Sequence, residues 1–302
     1  MAEQKNRFGR SDRTMIDEAS GHVRLNFDYQ SIEDFLEVCQ EGRDSIDAGL
    51  PQGVLSDPND GSGWSGGYRF EDFRYLLERG DFSESLEKFD EAMLEINQGI
   101  ESTKVVYDVS GDAVDMGRYL SGVPENMATM VKTGDESPVV SIIVCISANS
   151  NVEASALCQR AAAIAGVIEW IRGTGIGVEL FAVSSSSCSK FDLHQSVRVA
   201  ASWENWDVQT VSMMCGHVST FRNAFFHSHH TLSENAKDVF HLRGRSIDPD
   251  RFSIPEYASV RPCVIVGAHD GRHFDPLKMI ESIRSIVDEG RLEDGSFPVV
   301  RL

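Results

Sequence analysis

Residues 138–187 constrain the fold of this chain more than any other stretch. An apolar run at residues 139–146 precedes small polar residues, a helical pattern that extends to about Arg172, a glycine-rich turn and a second apolar run at residues 178–183. A buried strand, a helix and a second buried strand in this order are typical of a parallel β-α-β unit. The stretch therefore predicts an α/β fold with a mostly parallel sheet flanked by helices.

Further elements follow on the C-terminal side. Residues 261–269 read as another buried strand, and residues 276–289 read as a helix with a proline at its first position and Gly290 after its end. Leu193, Val197 and Ala200 recur at helical spacing and predict a helix. Residues 208–214 fit either a short strand or a helix.

The N-terminal part differs in composition. Residues 1–24 are polar with alternating charge signs, which predicts a flexible arm. A helix is expected to open at Ser31, and two more are expected within residues 69–100. The sequence therefore divides into an arm (1–24), an acidic helical region (25–103) and an α/β domain (104–302).

Charge and cysteine usage limit the functional class. The net charge is -19, and residues 25–100 hold 18 acidic and five basic side chains, so the N-terminal part disfavours phosphate backbones. No apolar run approaches the roughly 18 residues of a membrane span, and the N-terminus lacks the apolar core of a secretory signal. The six cysteines form no C-x-x-C pair, and Cys145 and Cys263 lie in apolar runs. We expect a cytoplasmic protein with free, buried cysteines.

Motifs for nucleotide binding or covalent catalysis are missing from the sequence. The glycines at 173, 175 and 177 precede a strand and not a helix, and no G-x-x-x-x-G-K-S/T segment occurs. Ser185 and Ser186 lack the flanking glycines of a nucleophile elbow. The sequence predicts neither an enzyme nor a bound cofactor.

Polar residues follow the first strand of the β-α-β unit, where open α/β sheets bind ligands. Ser147, Asn149 and Ser150 lie there, and residues 184–187 follow the second strand. Hydroxyl and amide oxygens can complete a magnesium shell, but a hard dication prefers carboxylates. We expect no metal at this loop, and Asn149 or Ser150 is expected to cap the following helix.

A second candidate is the histidine cluster of His227, His229 and His230, with His241 further along the chain. A His-x-His-His run can contribute to a zinc site. Neither a cysteine partner nor an H-x-x-x-H pair completes this one. The favoured interpretation is a solvated helix end, where protonated histidine is stabilised by the helix dipole.

A third candidate is a set of basic residues interleaved with aromatic residues. Such a set suits single-stranded nucleic acid, since bases stack on rings while guanidinium groups contact phosphates. The alternative is that these arginines are ordinary loop residues that pair with the acidic half of the chain. The residues are Arg243, Arg245, Arg251 and Arg261 with Phe240, Phe252 and Tyr257.

The stretch at 139–187 resembles the opening of a von Willebrand factor A-like domain, which has a Rossmann-type sheet. In that family the first strand ends in an Asp-x-Ser-x-Ser metal loop. The matching positions here are residues 146–150, Ile-Ser-Ala-Asn-Ser, without the aspartate. The resemblance implies a von Willebrand A-like core with a degenerate metal site.

A second resemblance rests on the segment YDVSGDAVDMGRYLSGVPENM at residues 107–127, together with the β-α-β unit. It is similar to an uncharacterised family of tailed-phage proteins, in which a segment of this pattern precedes a von Willebrand A-like core. The matching positions are Asp115, Gly117, Tyr119, Gly122, Pro124 and Glu125. This family has no established activity.

These observations predict a non-enzymatic interaction or adaptor protein of a tailed phage, located in the host cytoplasm. We expect it to bind a protein partner, or a second copy of itself, through a sheet edge or its acidic face. Single-stranded-DNA binding in phage replication or transcription is the alternative hypothesis.

Overall fold

The computed structural model describes residues 2–5, 11–17, 22–47, 68–79, 83–99, 106–109, 113–114, 116–129, 138–147, 152–187, 191–202, 204, 206–220, 224–229, 245–246, 261–267, 274–290, 292 and 297–302. The strands are β1 (Ala2–Lys5), β2 (Ser11–Asp17), β3 (His22–Tyr29), β4 (Val106–Asp108), β5 (Ala113–Val114), β6 (Met127–Thr129), β7 (Val139–Cys145), β8 (Gly177–Ser187), β9 (Phe191–Ala200), β10 (Arg245–Ser246), β11 (Cys263–Val266) and β12 (Val299–Arg301). The helices are α1 (Ile32–Asp47), α2 (Phe70–Arg79), α3 (Ser83–Gly99), α4 (Met116–Leu120), α5 (Ala154–Gly173), α6 (Val208–Gly216), α7 (Phe225–His229) and α8 (Pro276–Glu289).

One large sheet runs through the molecule in the order β1-β2-β3-β9-β8-β7-β11-β12, with β10 paired to β8. From β3 to β12 the neighbours are parallel, apart from the antiparallel pair β8 and β9. Strands β4, β6 and β5 form a separate small antiparallel sheet. The fold is therefore mixed α/β with a mostly parallel central sheet, as the apolar runs predict.

Alternate residues of the central strands point to opposite faces of this sheet. Ile142, Leu180 and Val264 belong to a large buried cluster that also holds side chains of α1, α2, α3, α5, α6, α7 and α8. We call this side the helix-packed face. The opposite face carries a separate buried cluster made of strand residues: Ile143, Cys145, Phe181, Val183, Cys263 and Ile265. Helices within the described residues therefore pack on one face, whereas the sequence predicts a sheet flanked by them.

Local sequence explains where several helices begin and end. The backbone N–H of Asp34 donates to Ser31 Oγ over 3.2 Å, so the expected N-cap of α1 is confirmed. Asp207 and Asp275 cap α6 and α8 in the same way. Helix α8 has the predicted bounds, with a proline in its first turn and Gly290 after it at a φ of 64°.

Helix α5 lies at the centre of the fold. Residues 160–168 are all buried, so this helix is covered on every side. Its many alanines and Gly166 allow close neighbours: a Cβ built on Gly166 would lie 3.1 Å from Ile96 Cδ1 of α3. A helix that is apolar around its whole circumference belongs in a protein interior or a membrane. Within the described residues, no helix combines the length and apolarity needed to cross a membrane.

Two expectations differ from the structure. The sequence predicts a flexible arm at residues 1–24, but β1, β2 and the start of β3 lie there and join the sheet through β9. The spacing of Leu193 and Val197 predicts a helix, but this segment is strand β9. In β9 residues 193–197 are all buried, and the strand pairs with β3 on one side and β8 on the other. This non-local pairing overrides a short helical pattern.

The closest helix contact gives a test of this packing. A Cβ on Gly216 of α6 would lie 2.2 Å from Ala161 Cβ and 2.5 Å from the Leu157 carbonyl oxygen of α5. We expect Gly216→Ala to force the two helices apart and to lower the free energy of unfolding by about 1–3 kcal/mol. Urea denaturation measures this change.

Gly173→Ala is the matched control. It also lies in a helix, but its new Cβ would meet nothing within 4 Å. Removing a glycine from a helix at such a position stabilises by about 0.4–1 kcal/mol. Equal effects of the two substitutions would show that α5 and α6 are not packed this closely.

Candidate functional site

The order of the central strands places one candidate site. In the strand order β9-β8-β7-β11-β12, the chain moves from β7 toward one edge of the sheet, to β8. From β11 it moves toward the opposite edge, to β12. The direction reverses between β7 and β11, and open α/β sheets bind ligands outside the carboxyl ends of the strands at such a point. We call the carboxyl ends of β7 and β11 the strand-end crevice.

Ser147 follows β7 at this crevice and is completely buried. Its Oγ lies 3.2 Å from both the backbone N–H and the carbonyl oxygen of Ser185 on β8, so it accepts from one and donates to the other. The hydroxyl thus continues the pairing of β7 with β8 beyond the last backbone bonds. Asn149 and Ser150, the other residues of the predicted degenerate loop, lie outside the described residues. The prediction that one of them caps the following helix is wrong, because α5 begins at Ala154 and Glu153 is at its N-cap position.

A row of buried polar side chains crosses the sheet beside Ser147. Ser185 Oγ lies 3.0 Å from His194 Nδ1, and Ser196 Oγ donates to Asp28 Oδ1 over 2.5 Å. Serine hydrogen-bonded to histidine is the arrangement of an activated nucleophile. Ser185 and His194 are nevertheless only 2% and 4% exposed, and a nucleophile has to reach its substrate. We interpret the row as hydrogen bonding that links β8, β9 and β3.

Arg160 is a charged residue at the crevice that the sequence patterns did not predict. It projects from α5, is 5% exposed, and donates from Nη1 to the Gly267 carbonyl and from Nη2 to the Cys145 carbonyl, each over 2.9 Å. These carbonyls belong to the ends of β11 and β7. An arginine inside the apolar run CQRAAAIAGVIEW was the available signal, because charged side chains are rarely buried without a hydrogen-bonding role.

The cysteines near this site have thiols of low reactivity. Burial raises the pKa of the Cys145 thiol, although the backbone of Ser147 and the charge of Arg160 oppose the shift. Burial also raises the pKa of Cys263 to about 12. Both are free and buried, which confirms their predicted place in the core. Cys188 lies outside the described residues.

The histidine cluster is only partly described. His227 is completely buried in α7, and its ring lies 5.0 Å from that of Phe70 in an edge-to-face contact. A buried ring in the core contradicts the expected solvated helix end at this residue. For His229 the structure describes the backbone and not the side chain. His230 and His241 lie outside the described residues. Within the described part of the chain, no three His, Cys, Asp or Glu side chains are grouped to hold a metal ion.

Two residues of the predicted basic and aromatic set, Arg245 and Arg261, lie within the described residues. Arg245 lies in β10, where its backbone pairs with Ser187. Arg261 Nη1 lies 2.6 Å from Oε2 of Glu179, a buried carboxylate of β8. Single-stranded-DNA binding therefore stays a prediction. The remaining residues of the set lie outside the described ones: Arg243, Arg251, Phe240, Phe252 and Tyr257.

The Arg261 pair gives a stability test. Glu179 is 7% exposed and Arg261 33%, so Arg261→Met leaves a buried carboxylate without its cation. We expect a loss of about 1–3 kcal/mol in the free energy of unfolding, less than for a fully buried pair because Arg261 is partly solvated. Adding Glu179→Gln should recover part of this loss in a double-mutant cycle. Strictly additive effects would show that the two side chains do not interact.

A pH test comes from His217, which follows α6 and accepts a hydrogen bond from the Ser219 N–H at Nδ1. Burial lowers the pKa of His217 to about 4. Below about pH 6.5 this histidine is protonated in the unfolded chain but stays neutral in the folded chain. The free energy of unfolding therefore falls as the pH drops from 6.5 to 4. The loss reaches about 3 kcal/mol.

We expect His217→Asn to flatten the stability profile over this pH range, because the amide oxygen can accept the same bond but does not titrate. Chemical denaturation at several pH values measures the profile. An unchanged slope in the variant would assign the acid sensitivity to other groups.

Comparison with known proteins adds one finding. No curated protein and no solved structure shows significant similarity to the chain. One family model matches residues 12–263, which is most of the sequence. Its description is a domain of unknown function, DUF7192. The match includes the β-α-β unit and the small sheet and ends at the first residue of β11, and the chain therefore belongs to the DUF7192 family.

Proposed function

We propose that the chain is a non-enzymatic interaction protein, and that it binds a protein partner through a small module formed by β4, β5, α4 and β6. The observation that carries this proposal is a concentration of exposed apolar side chains. Five of them occur within twelve residues, and Leu120 is 77% exposed. The five are Val109, Val114, Met116, Tyr119 and Leu120.

Exposed apolar side chains are ordinary when scattered, but a contiguous group marks an interaction site. Here Tyr119 and Leu120 are adjacent on α4, and Met116 lies one helical turn before Leu120. Tyrosine is also among the residues that most often dominate binding energy at interfaces. The group therefore supports a binding role for the module.

The turn after α4 holds these side chains outward. The backbone N–H groups of Gly122 and Val123 donate to the carbonyls of Tyr119 and Arg118, and Gly122 has a φ of 73°, which favours glycine. Arg118 Nε donates to the Glu125 carbonyl over 2.9 Å. All of these residues lie in the segment 107–127 that resembles tailed-phage proteins, and Tyr119, Gly122 and Glu125 are among its matching positions. Its pattern thus coincides with a rigid turn that presents an apolar surface.

We propose that the protein is of tailed-phage origin and that its core is von Willebrand A-like, with a degenerate metal loop. The order β9-β8-β7-β11-β12, with β9 antiparallel to β8, supports a Rossmann-type arrangement. The burial of Ser147 and its bonds to Ser185 support a structural use of the loop.

Leu120→Asp tests the binding role. Leu120 is exposed in the free chain, so we expect the melting temperature to stay within about 1 °C, while affinity for the partner falls at least about tenfold. Leu94→Asp on α3 is the control, since Leu94 is 61% exposed but lies in another part of the fold.

Site-specific photocrosslinking identifies the partner that the affinity test needs. A benzoylphenylalanine placed at residue 120 should give one discrete product in producing cells, and the same group at residue 94 should not. Mass spectrometry then distinguishes another protein from a second copy of this chain. Equal products from both positions, or none from residue 120, would contradict the proposal.

A further inference from the structure

We propose that Arg160 is a built-in ligand of this fold: its guanidinium group occupies the strand-end crevice, where an open α/β sheet otherwise binds a small molecule or a metal ion. The inference rests on the position and contacts of one buried cation, and it is independent of the interaction role assigned to the small module.

The position of the guanidinium is unusual for a helix residue. Arg160 lies in the second turn of α5, which begins just after β7, so its side chain extends back toward the carboxyl ends of the strands. It reaches the carbonyls of Cys145 on β7 and Gly267 after β11, both at 2.9 Å. The two carbonyls lie on opposite sides of the reversal in strand order.

The contacts of Arg160 join the ends of two strands, as a ligand bound between them would. Strands β7 and β11 pair through residues 141–144 and 263–266, and the pairing ends at Val144 and Val266. Beyond that register, the carbonyls of Cys145 and Gly267 both accept from Arg160. A planar guanidinium offers several N–H donors in a rigid fork, which a lysine ammonium cannot reproduce. Arg160 thus joins two strand ends where the ladder between them ends.

Because Arg160 is buried, we expect its removal to lower the stability of the fold. On its C-terminal side along α5, Arg160 is followed by the completely buried Ala161, Ala162 and Ile164. A buried cation beside such residues is tolerated only with good hydrogen bonds. A positive charge at this place also repels a divalent cation at short range. Among the described residues, the guanidinium of Arg160 therefore occupies the place between the two strand ends.

Chemical rescue tests this assignment. Arg160→Ala leaves a space of the shape of the side chain, and we expect its melting temperature to fall by about 5–10 °C. Methylguanidinium at millimolar concentration should restore part of this loss, because it can donate to both carbonyls. Methylammonium at the same concentration should restore less, and neither should stabilise the wild type.

Arg172→Ala is the matched control, since Arg172 is on the same helix but donates to the Glu204 carbonyl at the surface. We expect a small loss in that variant and no rescue by methylguanidinium. Equal rescue of Arg160→Ala by the two cations, or a melting temperature equal to the wild type, would overturn the proposal.

If Arg160→Ala does not fold, Arg160→Lys is the variant to measure. Hydrogen exchange should quicken in that variant at the carboxyl ends of β7 and β11, while the pairing of β8 with β9 keeps its protection. Uniform loss of protection over the whole sheet would argue against a local brace. Stabilisation of the wild type by Mg²⁺ or Mn²⁺ that disappears in Ser147→Ala would also overturn the proposal, since it would place a metal where Arg160 is assigned.

Discussion

The burial of the middle of α5, residues 160–168, is the constraint on which the rest of the structure depends. This helix packs between the central sheet and α3, and α6 and α8 lie beside it. Burial on every side requires small residues wherever a neighbour comes close, and Gly166, Ala161 and Gly216 occupy such positions. Because a packed interior has little free volume, changes at these contacts move whole helices.

The same burial explains the character of the strand-end crevice. A helix that is apolar on all sides leaves little room for polar chemistry, yet Arg160 enters this environment and bonds to two strand ends. Beside it, Ser147 and the pair of Ser185 and His194 are also enclosed. The place where related topologies bind ligands is used here for internal hydrogen bonds. Binding is then expected at the surface, and the small module carries the exposed apolar side chains suited to it.

Sequence patterns predicted elements whose apolar residues follow a clear period. The β-α-β unit, α8 and the cap at Ser31 are of this kind, because each depends on residues close along the chain. Elements held by distant partners were harder to predict. Strand β9 carries a short helical pattern but pairs with β3 and β8, and β1 and β2 join the sheet from a segment that reads as an arm.

The candidate site shows the same division. The sequence indicated the polar loop after β7, but the direction of the Ser147 hydroxyl depends on β8, which lies 38 residues further along the chain. Arg160 reaches a carbonyl 107 residues away, which no local pattern can reveal. The sequence by itself determined the α/β class, the central β-α-β unit and the lack of nucleotide-binding motifs, since these depend on local periodicity and composition. Only the tertiary structure decided the strand order, the burial of the polar row and the placement of Arg160, because each depends on contacts between segments far apart in the chain.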